Sequence, residues 1–315
     1  MNKVIVFGKG EYSKRHIDYI KGSYDVVAIL DNSIERNKTG DFENIKCYNP
    51  LDYEHYDEYP IFVLVYKYME VVEQLINLGV ESKNIFILDV IKNEEYRYIK
   101  YSNIVSLKSL DVVPVHEDWG YRRGTPIGRV YIDDFLDMER NYIVGDVMEV
   151  SETTYSEKFS NPKNVKSITA IHVDDVYGCR KANLETFEGL REKEFDTMII
   201  TQTLAYIYNL NAVAKNIHKA LKNGGYAFIT VSDIGHMGRV ELENYGAYWG
   251  FHKDGCKKLF SNVFGEENVN VYTYGNAKTA ICQLYGLCAE DLDDETLRFH
   301  DPIYPMIIGI VVHKV

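Results

Sequence analysis

Apolar positions along the chain fall into two kinds of pattern, short unbroken runs and runs spaced three and four apart. KVIVFG at residues 3–8 is an unbroken run, the mark of a strand buried on both faces. GKGEYSKRHIDYIKG then reads as a turn and a helix, and YDVVAILDNS as a second strand with an acid at its end. PIFVLVY predicts a further strand, MEVVEQLINLGV an amphipathic helix closed at Gly79, and NIFILD a short last strand. Strands alternating with helices imply right-handed crossovers and a parallel sheet.

Residues 93–118 are less regular, with tyrosines alternating with charges and Pro114 interrupting the run. They read as a packed connector, since a flexible linker would be richer in Gly and Ser. From Trp119 the α/β pattern resumes. YRRGTPIGRVYIDDFLDMER predicts a turn and a helix with Ile127, Val130, Tyr131, Phe135 and Leu136 on one face. GDVMEV, SITAIHVDD, FDTMIIT and GYAFITV predict strands. VNVYTYGN and PMIIGIVVHKV read as a final pair, the second apolar enough for a sheet interior. The expected fold class is α/β with two Rossmann-like units. A small parallel-sheet domain of nucleotide-binding type covers residues 1–92, and a larger unit with a mixed sheet covers 119–315.

Composition narrows the function. At 315 residues the chain exceeds one average domain, and 46% hydrophobic residues can fill two cores. A formal charge of −12 without a dense Lys/Arg run argues against a nucleic-acid partner. The chain opens directly on a strand, and no apolar run approaches the ~18 residues of a membrane span, so a cytoplasmic protein is expected. Five scattered cysteines without a C-x-x-C pair, and histidines without ligand spacing, predict reduced thiols and no metal. The 26 tyrosines suit contact surfaces, and a homo-oligomer stays open.

Gly8-Lys9-Gly10 follows the first strand and opens a helix, with Asp31 at the end of the next strand. That is the setting of a dinucleotide turn: glycine for backbone approach, helix N–H groups for phosphate, an acid for ribose hydroxyls. The third glycine of G-x-G-x-x-G is replaced by Ser13, which weakens the cofactor reading. FGKGEYSKR followed by VVAILDN resembles the small Rossmann domains at the N-termini of bacterial sugar acetyltransferases and related glycan-tailoring enzymes. The resemblance implies a nucleotide or nucleotide-sugar site at Gly8, Gly10 and Asp31, or a bare scaffold.

FDTMIITQTLAYIYNLNAVAKNIHKALKNGGYAFITV is a strand with a polar tip, a helix, a Gly-Gly turn and another strand. Its order resembles the class I methyltransferases that use S-adenosylmethionine. The loop after GDVMEV departs from their acid-x-Gly-x-Gly turn, because Ser151 replaces the first glycine and Thr153-Thr154 fill the rest. RRGTPIGRVYIDDFL, GDVMEVSETTYSEKF, HVD, FDTMIITQTLAYIYN, LKNGGYAFITV, YWGF and YGN, in this order, resemble a narrower group of bacterial methyltransferase-like proteins of surface-polysaccharide and glycosyltransferase loci. That group tends to carry a hydroxyl-rich loop at this point.

The resemblance implies S-adenosylmethionine as cofactor. Glu149 and Ser151 would seat its methionine end, Asp174 its ribose hydroxyls and Asn183 its adenine edge, with Thr201 and Gln202 facing the sulfur. A carboxylate suits the ribose because it can accept both hydroxyl bonds while charged. For a hydroxyl acceptor a base is needed, and His236 and Asp233 in the segment after GYAFITV are the candidates. Tyr245, Tyr248 and Trp249 could stack a sugar face or simply pack, and Arg122 and Arg123 could hold an acceptor phosphate. The expected activity is methyl transfer to oxygen or nitrogen of a glycan precursor or related small acceptor. The alternative is a non-catalytic nucleotide-sugar or partner-binding protein with a degenerate cofactor loop. An NAD-dependent oxidoreductase fits poorly, since no recognisable catalytic pair such as Tyr-x-x-x-Lys stands in the right place.

Overall fold

The computed structural model describes residues 1–91, 95–101, 111–234 and 238–315. The chain divides into one unit of Met1–Gly124 with Tyr285–Cys288, and a second of Thr125–Leu284 with Ala289–Val315.

The first unit contains β1 (Asn2–Phe7), α1 (Glu11–Ser23), β2 (Tyr24–Leu30), β3 (Thr39–Phe42) and β4 (Ile45–Tyr48), then β5 (Ile61–Val63), α2 (Met69–Asn77), β6 (Ile85–Ile91) and β7 (Glu95–Lys100). Its sheet order is β3-β4-β2-β1-β5-β6-β7. Val4 and Val6 face one core and Ile5 and Phe7 the other, which explains the unbroken apolar run of β1. Helix α1 buries Ser13, Ile17 and Ile20 at helical spacing.

The sheet is parallel only in its centre. β3 pairs antiparallel with β4, and β7 pairs antiparallel with β6, so the parallel sheet expected from the sequence is in fact mixed. The short polar strands β3 and β4 lack the apolar run that announces a strand. Residues 95–100, read as connector, supply the edge strand β7, where Tyr98 packs edge-on against Phe62 and Tyr24. Tyr285 returns to this unit from far along the chain, its carbonyl accepting from Val115 N–H at 2.9 Å.

The second unit contains α3 (Ile127–Met138), β8 (Gly145–Val150), α4 (Thr154–Phe159), β9 (Val165–His172), β10 (Arg180–Lys181), β11 (Phe195–Thr201), α5 (Leu210–Ala220) and β12 (Leu221–Ser232). α6 (Arg239–Tyr245), α7 (Lys253–Phe264), β13 (Val269–Tyr274), α8 (Ala277–Leu284), α9 (Asp294–Arg298) and β14 (Ile307–His313) complete it. The sheet order is β10-β9-β8-β11-β12-β14-β13, parallel except where β14 runs antiparallel to both its neighbours. β14 is thus interior, as its apolar run predicts. A Cβ on its Gly309 would lie 2.6 Å from the Phe135 ring of α3, so glycine is what lets that helix close on the sheet. The strand order reverses at β8 and β11, which puts a ligand crevice at their carboxyl ends. Among the described residues no helix is long and apolar enough to cross a membrane.

Candidate active site

At the tip of β8 the chain must turn sharply into α4. Ser151 makes the turn at φ +72°, the left-handed region where generic loops use glycine. Its N–H stays in register with β9 through Ile171 O at 2.8 Å. Glu149 is 1% exposed, and its carboxylate accepts from Tyr155 N–H at 3.1 Å, Ser156 N–H at 2.7 Å and the Ser156 hydroxyl at 2.6 Å. The acid therefore anchors the first turn of α4 and fixes the loop's shape. Burial pushes its carboxyl above the ordinary glutamate range, although these three bonds favour the charged form.

β9 ends on His172, one residue past the Ile171–Val150 pair, so His172 stands level with the Ser151 turn. Asp174 lies two residues on, exposed, its N–H donating to His172 Nδ1 at 3.0 Å. Tyr245, the last residue of α6, donates its hydroxyl to Asp174 Oδ2 at 2.7 Å, and its ring lies 6.3 Å from that of His172. His172 and Tyr245 thus join Asp174 at one point of the edge. Strand-tip position could have singled out His172; nothing in the sequence announces Tyr245 as its neighbour. Asn183 is placed nearby in the chain but acts locally, its side-chain carbonyl accepting from Glu185 and Thr186 N–H at 2.7 and 3.1 Å. That is a turn-former's role.

The tips of β11 and β12 are tied together. Gln202, at φ +50°, accepts from the Ser232 hydroxyl at 2.8 Å and donates to Thr230 Oγ1 at 3.3 Å. Thr201 closes β11, its carbonyl accepting from the Thr203 hydroxyl at 2.9 Å. Asp233 follows directly on β12, and both its oxygens lie 3.1 Å from Nδ1 of His252. The sequence pairs Asp233 with His236, but His236 lies outside the described residues. Among the described residues, the histidine this carboxylate meets is His252, 19 residues away and just ahead of α7.

In the first unit the glycine turn is held by its own acid. Asp31 Oδ2 accepts from Lys9 N–H at 2.8 Å, and Oδ1 from Ser33 N–H at 2.8 Å and its hydroxyl at 2.5 Å. Gly8 stands at φ +114° with Leu64 O 2.7 Å from where a Cβ would be, so fold geometry alone demands it. A Cβ on Gly10 would meet nothing within 4 Å. Arg122 and Arg123 are 7% and 2% exposed inside this unit, over the rings of Tyr12 and Tyr68 respectively. They are packed groups.

Residues 141–229, from before β8 into β12, match the family model described as a methyltransferase domain, and residues 1–86 match one described as C2185-like, N-terminal. The second unit carries a methyltransferase domain. Its strand order fits the class I form, whose members take S-adenosylmethionine as methyl donor. Similar solved structures include an S-adenosylmethionine-dependent methyltransferase from Archaeoglobus fulgidus, at 11% identity over 59% of this chain and 94% of that one, with a TM-score of 0.41. Another is the N-methyltransferase NodS from Bradyrhizobium japonicum WM9, at 11% over 61% and 99%, TM-score 0.37. A third is an S-adenosylmethionine-dependent methyltransferase from Mesorhizobium loti, at 10% over 55% and 93%, TM-score 0.36. No curated protein matches the chain.

Proposed function

We propose that the methyltransferase domain transfers a methyl group to oxygen or nitrogen of a glycan precursor or related small acceptor. The residues at the carboxyl edge suit the methyl donor. An exposed carboxylate at Asp174 can accept from ribose hydroxyls, the Ser151 turn exposes backbone beside it, and acids at Asp174, Asp175 and Asp233 favour a cationic ligand. The bound donor supplies an electrophilic methyl group on a sulfonium, and the protein's part is to position and to manage a proton. Glu149 shapes the methionine end by holding the Ser151 loop, while Thr201 and Gln202 form the floor between donor and acceptor. Asn183 is proposed at the adenine side through the turn it builds, and His236 and Asp233 are kept as candidate bases.

The observation that carries this reading is Asp174 with His172 and Tyr245 at the carboxyl end of β9, the strand next to β8 where the order reverses. Calorimetry with S-adenosylhomocysteine tests it. Micromolar binding lost in Asp174→Ala and kept in Asp31→Ala supports the proposal; no binding to the unaltered protein overturns it. For the first unit we propose a nucleotide or nucleotide-sugar phosphate at Gly10, the part of the turn with open space around it. UDP-sugar binding abolished by Gly10→Val supports that site, and its absence removes it.

A further inference from the structure

A cavity of about 540 Å³ opens between the first turns of α5 and α7, within the size range of small-molecule sites. Tyr208 and Trp249 form one wall, with ring centroids 6.0 Å apart and planes 29° from parallel. The indole is locked by Nε1 donating to the carbonyls of Ile207 and Tyr208 at 3.0 and 3.1 Å, yet 40% of Trp249 and 67% of Tyr208 remain exposed. Large aromatic faces held rigid toward solvent are what a ring-bearing ligand stacks on.

Among the described residues the lining has no Lys, Arg, Asp or Glu; its polar side chains include the amides of Asn209 and Asn211 and the imidazole of His252. Cys256, also in the wall, is buried and its thiol is pushed up to about 12, so it stays neutral. A phosphate or carboxylate would find no lysine or arginine among the described lining residues to replace its water.

His252 joins this cavity to the sheet. Asp233 is sheltered, its side chain 8% exposed, while that of His252 is 82% exposed, so the carboxylate orients the ring and leaves Nε2 outward. A proton on Nδ1 directed at Asp233 makes Nε2 the acceptor. Ser232, the preceding residue, is bonded to Gln202 at the tip of β11, which brings the pair to the edge where methyl transfer is read.

We propose that this cavity is the acceptor site, that it takes an uncharged ring-bearing alcohol of monosaccharide size, and that His252, positioned by Asp233, accepts the hydroxyl proton. The inference rests on the methyl-transfer reading above. As the hydroxyl oxygen bonds to the methyl carbon, its proton passes to Nε2, the carbon–sulfur pair stays on sulfur, and Asp233 holds the imidazolium until water takes the proton.

The chain has two tryptophans, so Trp119→Phe leaves Trp249 as sole emitter. Methyl glycosides of glucose, galactose, mannose and N-acetylglucosamine are titrated against that emission, with the 6-phosphates as charged counterparts. At least one neutral glycoside should saturate the signal, with its phosphate about tenfold weaker or worse. Gly255→Leu, whose new side chain starts in open space on α7, should abolish the response while S-adenosylhomocysteine still binds by calorimetry. No response to any neutral glycoside, equal binding of the phosphates, or an unchanged Gly255→Leu overturns the site. Loss of S-adenosylhomocysteine binding in the unaltered protein instead overturns the methyl-transfer reading. With a glycoside that binds, His252→Ala should lower transfer by about 10²–10⁴-fold with S-adenosylhomocysteine affinity held. Transfer unchanged in that variant, or absent in the unaltered protein, overturns the assignment.

Discussion

The Tyr245 hydroxyl donates to Asp174 across 71 residues of chain, at 2.7 Å. The bond raises the phenol's ionisation above the ordinary tyrosine value, chiefly because the donor proton is held by the carboxylate. The contact is therefore present below the ordinary tyrosine value and is lost as pH rises through the raised one. Absorbance titration should show one tyrosine ionising earlier in Asp174→Asn. Tyr245→Phe should weaken S-adenosylhomocysteine by about 1 kcal/mol, one oriented hydrogen bond, whereas Asp174→Ala should cost more.

Glu149 satisfies two backbone donors and a hydroxyl at the start of α4. Glu149→Ala strands the N–H groups of Tyr155 and Ser156 and should cost about 2–4 kcal/mol in urea unfolding. Burial holds this carboxyl above its ordinary value, so its contribution is complete below that value and declines as pH rises through the raised one. Glu149→Gln should flatten that decline.

Ser151 adopts a conformation that costs an L-residue roughly 1 kcal/mol. Ser151→Gly should raise the unfolding free energy by up to about 1 kcal/mol, and the β-branched Ser151→Val should lower it by about 2 kcal/mol. If both variants unfold as the parent does, the turn is not held as described.

Lys222 bridges Asp146 and Asp196 at 2.7 and 2.6 Å, at the amino ends of β12, β8 and β11. Its ammonium, followed by the Ser167 hydroxyl, holds the Asp146 carboxyl down to about 2. The resulting stability is present above the ordinary aspartate value and is lost as pH falls toward 2. Lys222→Met should reduce the acid dependence of the urea midpoint between about pH 4 and pH 2. An unchanged acid limb would show the bridge to be idle.

Long apolar strands were readable because burial on both faces leaves an unbroken hydrophobic run; β1, β11, β12 and β14 all announce themselves this way. β3, β4 and β10 did not, since such short strands are held by backbone bonds that any side chain permits. The sequence also marks Glu149, Asp174, Gln202 and Asp233 as polar groups where strands end. It could not say what they touch. Glu149 turned out to hold a helix start, Asp31 its own turn, and Asn183 a local loop.

What the chain's order of residues determined by itself was the alternation of strands and helices and the edge at which polar groups collect, because both follow from period and local conformation. Tertiary structure decided the partners. Asp174 with Tyr245 and Asp233 with His252 are separated by 71 and 19 residues. Such pairs are set by how helices pack beside strand tips, and no local pattern encodes that.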